Sequence, residues 1–143
     1  MIRVIVGEKG AGKTKRIISI ANEMLQSAKG SIVFLDHDSK YMFDLKNAIR
    51  FIDASEFHID GPEKFTGFLA GLAAQDFDLE CIFIDGFRKI VRRPLESLPG
   101  LFEELESFTK ERNIKIIFSI SANPTELPEF LQGYLRNVSE DIA

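Results

Sequence analysis

The chain has 143 residues, 45% hydrophobic and 28% charged, the composition of an ordinary globular protein of one-domain size. Eighteen basic against 22 acidic residues give a net charge of −4, which argues against a general nucleic-acid binder that coats phosphates and leaves room only for a local basic patch. The single cysteine, Cys81, sits in an apolar run without a partner, so a disulfide framework and a cysteine-based zinc site within one chain are excluded and a cytoplasmic, reducing setting is expected.

Apolar β-branched runs alternate with segments of helical period along the whole chain, the mark of an α/β domain with a mostly parallel sheet. Ile2 to Val6 reads as a buried strand running into a glycine-rich turn. A helix follows from about Lys13 to Ala28, with Ile17, Ile20, Ala21, Met24 and Leu25 on one face and Gly30 as its stop. Ile32 to Leu35 is the second strand, and the polar Asp36-His37-Asp38 belongs to its carboxyl end. Met42 to Ala48 reads as a short helix and Arg50 to Asp53 as a short strand. Pro62 suits the first position of a helix whose apolar stripe is Phe65, Phe68, Leu69, Leu72 and Ala73.

Glu80 to Ile84 is a further strand, ending in Asp85-Gly86. A helix lies between Leu95 and Arg112, with Pro99 near its start, and Ile114 to Ile120 is the last clear strand. Asn123-Pro124-Thr125-Glu126 has the form of a capped helix start, Leu127 to Leu135 keeps helical spacing, and 136–143 reads as a loose tail. The whole predicts one domain over 1–143, a three-layer α/β/α fold around a sheet of about five strands. No apolar run approaches the roughly 18 residues of a membrane span, and the apolar part of MIRVIVGEKG is too short for a signal peptide. Thirteen Phe, two Tyr and no Trp read as core filling rather than stacking platforms.

Directly after the first strand stands GEKGAGKT: Gly7, Glu8, Lys9, Gly10, Ala11, Gly12, Lys13 and Thr14. This meets the phosphate-binding pattern GxxxxGK(S/T) in full, between a strand and a helix as the pattern requires. Glycines let the backbone curl so that successive N–H groups face phosphate oxygens, and the helix adds the positive end of its dipole. Lys13 is then the residue that reaches the β- and γ-phosphates, and the Thr14 hydroxyl is an oxygen ligand of the kind Mg²⁺ takes.

With the later run Cys81-Ile82-Phe83-Ile84-Asp85, this segment resembles the P-loop nucleoside triphosphatases with their Walker A and Walker B elements, of the RecA-like type. The motifs cover about a tenth of the chain, and the order of strands and helices extends the likeness to nearly all of it. The chain also resembles short bacterial proteins labelled as twitching-motility PilT-type ATPases, although it is much too short for a full motor of that kind. The resemblance implies ATP or ADP as ligand, Mg²⁺ held by Thr14 and Asp85, and Lys13 as a catalytic group. Many hydrolysing members carry a glutamate after the strand-ending aspartate to orient water; here that residue is Gly86.

A substitute base is sought at the end of the second strand, as in the RecA-like group, where Asp36 is favoured over Asp38; both acids equally suit a turn. Ser119, Ser121 and Asn123 fall where resembling ATPases place a polar sensor for the γ-phosphate, and Asn123 suits a plain helix cap as well. Phe87 to Arg93 holds four cations in seven residues, a solvated loop or a contact for phosphate, an acidic partner, nucleic acid or, through an arginine finger, a second copy of the chain. His37 and His58 stand apart from any His/Cys/Asp group at metal spacing, and no guanine-type motif occurs. Three functions stay open: a slow ATPase or nucleotide-operated switch, a small-molecule kinase, or a non-catalytic phosphate-binding scaffold.

Overall fold

The computed structural model describes residues 1–137. Six strands form one sheet: β1 (Ile2–Gly7), β2 (Ser31–Asp36), β3 (Arg50–Asp53), β4 (Leu79–Ile84), β5 (Lys115–Ser121) and β6 (Leu135–Asn137). Their spatial order is β3-β2-β4-β5-β1-β6, and every pairing is parallel. A sheet covered on both faces needs apolar side chains in both directions, which is why the inner strands read as nearly unbroken apolar runs. Val4, Val6, Ile82, Ile84, Ile116 and Phe118 point into one core, and Ile5, Ile32, Phe34, Cys81, Phe83 and Ile117 into the other.

The helix α1 (Lys13–Met24) packs on the second core through Ile17, Ile18, Ile20 and Ala21. The other face takes α2 (Pro62–Gln75), α3 (Phe87–Val91) and α4 (Pro99–Arg112), with the short α5 (Glu129–Gln132) beside them. There Phe87 and Phe118 meet edge to face with centroids 5.1 Å apart, and Phe102 lies 5.2 Å from Phe118. Most phenylalanines fill the core as expected, but Phe43, Phe57 and Phe77 are exposed. Among the described residues, no helix is long and apolar enough to cross a membrane.

Several boundaries differ from the sequence reading. The sheet has six strands instead of about five, because Leu135–Asn137 pairs with β1 (Val4 opposite Leu135) where helical spacing had pointed to a helix. Pro128 lacks an N–H and stands extended, so α5 is confined to Glu129–Gln132. Arg136 and Asn137 of the expected tail are therefore strand, and 138–143 lie outside the described residues. The helix α1 stops at Met24 rather than Ala28. Gly30 serves a different purpose from a helix stop: a Cβ there would stand 2.0 Å from the Asp78 carbonyl oxygen, which accepts from Ser31 N at 2.8 Å. Met42 to Ala48 is a single tight turn, Met42–Asp44, since Leu45 is already extended. The basic segment after Asp85 forms α3, anchored by buried Phe87, Ile90 and Val91.

Candidate functional site

The carboxyl ends of the parallel strands gather the residues that the sequence singles out. Gly7 closes β1, and its carbonyl accepts from Ala122 N at 3.1 Å. A Cβ at Gly7 would lie 3.0 Å from Ala11 Cβ, so a side chain here would press on the loop that closes over this position. Gly10 and Gly12 both have φ of 88°, a left-handed conformation that favours glycine. Glu8 O accepts from Ala11 N at 3.0 Å and from Lys13 Nζ at 3.0 Å, so the loop is held in its curl from inside. No side chain caps the start of α1, which leaves the first N–H groups of a 12-residue helix to an external acceptor. Lys13 is buried, and burial lowers its pKa while the charge of Asp85 opposes that shift.

Asp85 follows β4 and is 4% exposed. Its N–H donates to Leu35 O at 2.9 Å, and its carboxylate accepts from the Ser119 hydroxyl, whose oxygen in turn accepts from Gly86 N at 3.3 Å. This arrangement exists because β5 lies between β1 and β4, which sets Ser119 beside Asp85 and pairs Ser121 with Gly7. Arg88 Nη1 donates to Ser121 O at 3.0 Å and so ties α3 to the end of β5. Asn123 does not join this group: its Oδ1 accepts from Thr125 N at 3.0 Å and Thr125 Oγ1 at 2.8 Å, the cap geometry.

The end of β2 is a compact charged cluster. Asp36 is fully buried; its Oδ1 accepts from His37 N at 2.7 Å and lies 2.9 Å from His37 Nδ1, while Oδ2 has no hydrogen-bond partner among the described residues. Burial, and next the negative charge of Asp85, push the Asp36 carboxyl up to about 7 from 3.8. His37 Nε2 lies 3.1 Å from Asp38 Oδ2, and Asp38 Oδ1 accepts from Lys40 N at 3.0 Å. The histidine that looked isolated in the sequence is thus held between two carboxylates, with ligand-type atoms of all three residues within 4.8 Å of one another. Sequence reasoning missed it, although two flanking aspartates were the signal. His37 also fills the space next to Gly86, where a Cβ would stand 2.3 Å from its Nδ1.

A cavity of about 1080 Å³ joins these parts, with Lys13, Thr14, Asp38, Asp85, Ser119 and Ser121 in its wall. Gly10, Gly12, Lys9 and His37 line it too, whereas Asp36 stands behind His37 and Asn123 lies away from it. The cavity continues along the polar face of α1, where Asn22 grips the β2–β3 connection by donating to Asp44 O (3.0 Å) and accepting from Lys46 N (2.9 Å). It therefore offers a buried ammonium, a helix N-terminus, a hydroxyl and a buried carboxylate around one space, which suits a polyanion with a hard cation. The oxygen donors Thr14 and Asp85 fit magnesium in type.

No protein-family model matches this chain, and no curated protein matches it. Among solved structures it is similar to the flagellar accessory protein FlaH from Methanocaldococcus jannaschii, with a TM-score of 0.58 and 17% identity over 95% of this chain and 70% of that one. The likeness is one of fold, a parallel α/β sheet with helices on both faces.

Proposed function

We propose that this protein binds a nucleoside triphosphate, ATP foremost, with magnesium, and acts as a slow hydrolase or nucleotide-operated switch. The observation that carries the reading is the convergence of Lys13, Thr14 and the buried Asp85 on one cavity at the carboxyl end of the sheet. The backbone of Gly7 to Thr14 supplies N–H donors for the phosphates, and Lys13 sets its charge against the β- and γ-oxygens. Thr14 and Asp85 hold the metal, which when bound neutralises charge on those oxygens. Ser119 keeps the Asp85 carboxylate in one orientation, and Ser121 is a further polar group for the terminal phosphate.

Of the two aspartates at the end of β2, Asp38 is the one that lines the cavity, so it is the better placed of the pair to orient a water, with Asp36 fully buried and joined to it through His37. A stand-in of this kind, together with Gly86 after Asp85, fits slow turnover in the isolated chain. One observation favours a second reading, a phosphate-binding scaffold without catalysis: the room beside Gly86 is taken by an imidazole. Partners would sense the nucleotide through residues 36–41 and 87–98, which contribute His37, Asp38, Lys40 and Tyr41, and Phe87, Arg88 and Lys89, to the cavity wall.

Titration of labelled ATP against Lys13→Ala tests the binding step; unchanged affinity would remove the assignment of the loop. Release of ADP from saturating Mg-ATP, with and without hydroxyl acceptors, then separates a hydrolase from a kinase and from a scaffold.

A further inference from the structure

A second cavity, of about 250 Å³, lies between α3, the turn Ala54–Glu56 and the corner that carries His58. His37 and Lys89 line both cavities and form the wall between them. The smaller one is lined by two cations, Lys89 and Arg92 from α3 and its cap, beside both imidazoles. Its one carboxylate, Asp60, is engaged by Lys64 at 3.2 Å. By contrast, Lys89 and Arg92 make no ion pair among the described residues. Arg92 Nε donates to Lys89 O at 3.2 Å, which folds the guanidinium back over α3 and leaves its terminal nitrogens for another acceptor.

The backbone adds a separate observation. Among the described residues, three other than glycine have positive φ: His58 (52°), Arg92 (57°) and Asn113 (55°). Asn113 is an ordinary left-handed helix cap of a residue type that tolerates it. Arg92 caps α3 in the same left-handed conformation, and both His58 and Arg92 line this cavity. Glycine would adopt this backbone with less strain, so two residues with long polar side chains hold left-handed positions around the same space.

We propose that the smaller cavity binds a tetrahedral oxyanion of the size of orthophosphate, held by Lys89 and Arg92 with His58 at its side. Cations that lack a carboxylate counterpart, pressed around a space smaller than the roughly 300 Å³ of a typical organic-ligand pocket, suit a compact, highly charged guest. The proposal goes beyond nucleotide binding and does not depend on it, because Lys89 and Arg92 face this cavity whatever occupies the larger one.

The chain has two histidines, both in this lining, so their imidazole carbon-bound proton resonances report on the site directly. Orthophosphate is titrated at fixed pH into Lys13→Ala, which removes the competing phosphate loop. Both histidine signals are expected to move on one saturable curve. Lys89→Gln and Arg92→Gln are each expected to weaken it about tenfold, the loss of one charge-assisted hydrogen bond. Arg92→Gly, which also relieves the positive φ, must show the same loss in a chain whose melting temperature is not lowered. A stationary His58 signal, or curves indifferent to Lys89 and Arg92, would overturn the proposal. So would equal shifts from chloride at matched ionic strength. Phenyl phosphate is expected to bind more weakly than orthophosphate; equal affinity would assign the site to a phosphorylated side chain and overturn the assignment to the free ion.

Discussion

Replacing Asp36 by asparagine tests the electrostatics at the heart of the site. The folded chain holds the Asp36 proton up to about pH 7, against 3.8 for the unreached group, because burial and the neighbouring Asp85 both disfavour the charge. The native state therefore binds more protons than the unfolded chain between those limits, and stability falls as pH rises through that window. At about 1.4 kcal/mol per unit of pH, the destabilisation reaches an upper limit of about 4 kcal/mol by pH 8. Asp36→Asn keeps the size of the side chain and an Oδ1 acceptor for His37 N, and removes the charge. Urea unfolding at pH 8 is expected to find the variant more stable than the parent by up to about 4 kcal/mol, less whatever the His37 pairing contributes. At pH 4, well below the folded value and only just above the unfolded one, little of that loss has accrued, and the two proteins should differ by no more than about 0.5 kcal/mol. A gain that is the same at both pH values, or a variant less stable at pH 8, would refute the reasoning.

Asp85→Asn should abolish the magnesium-dependent increment in ATP affinity while sparing metal-free binding, and should also shrink the pH-dependent loss of stability, since the largest charge behind the Asp36 shift is gone; calorimetry with and without Mg²⁺ and the same urea series read the two effects. Thr14→Ala should behave alike in calorimetry, and equal losses with and without metal would mean that Thr14 is structural. Gly86→Ala sets a Cβ 2.3 Å from His37 Nδ1 at a φ of 70°, so a loss of about 1–3 kcal/mol in unfolding experiments and a displaced His37 resonance are expected. Single-turnover hydrolysis of Mg-ATP should slow more in Asp38→Asn than in Asp36→Asn; the reverse order would return the water-orienting role to the buried acid.

The main strands were legible because a parallel sheet buried on both faces demands apolar runs, and Ile2–Gly7, Leu79–Ile84 and Lys115–Ser121 each supply one. The phosphate loop was legible because its residues are contiguous and its glycines answer a local backbone requirement. What was hidden depends on contacts between distant segments. Leu-Arg-Asn of β6 carries no periodic pattern and becomes a strand only because the edge of β1 is there to pair with. The five residues of α3 are too few to show a period, and their charges outweighed three buried anchors. Gly86 read as a missing carboxylate, but its other meaning, contact with His37 from the neighbouring strand, needed the register of β2 against β4. The basic cavity draws on three separated stretches of chain, none of which carries a motif.

The position of β5 between β1 and β4 also governs when the site can come into being. Met1 N donates to Ile114 O across 113 residues, and Val4 finds its two neighbours in Phe118 and Leu135. During synthesis the phosphate loop is therefore made well before it can be completed, with IRVIVG waiting as an apolar strand open on both edges until Lys115–Ser121 and Leu135–Asn137 arrive. Such long-range parallel pairings are slow to form. A nascent or truncated chain ending before Lys115 would carry the whole phosphate-loop sequence and yet lack the strand that seats it beside Asp85.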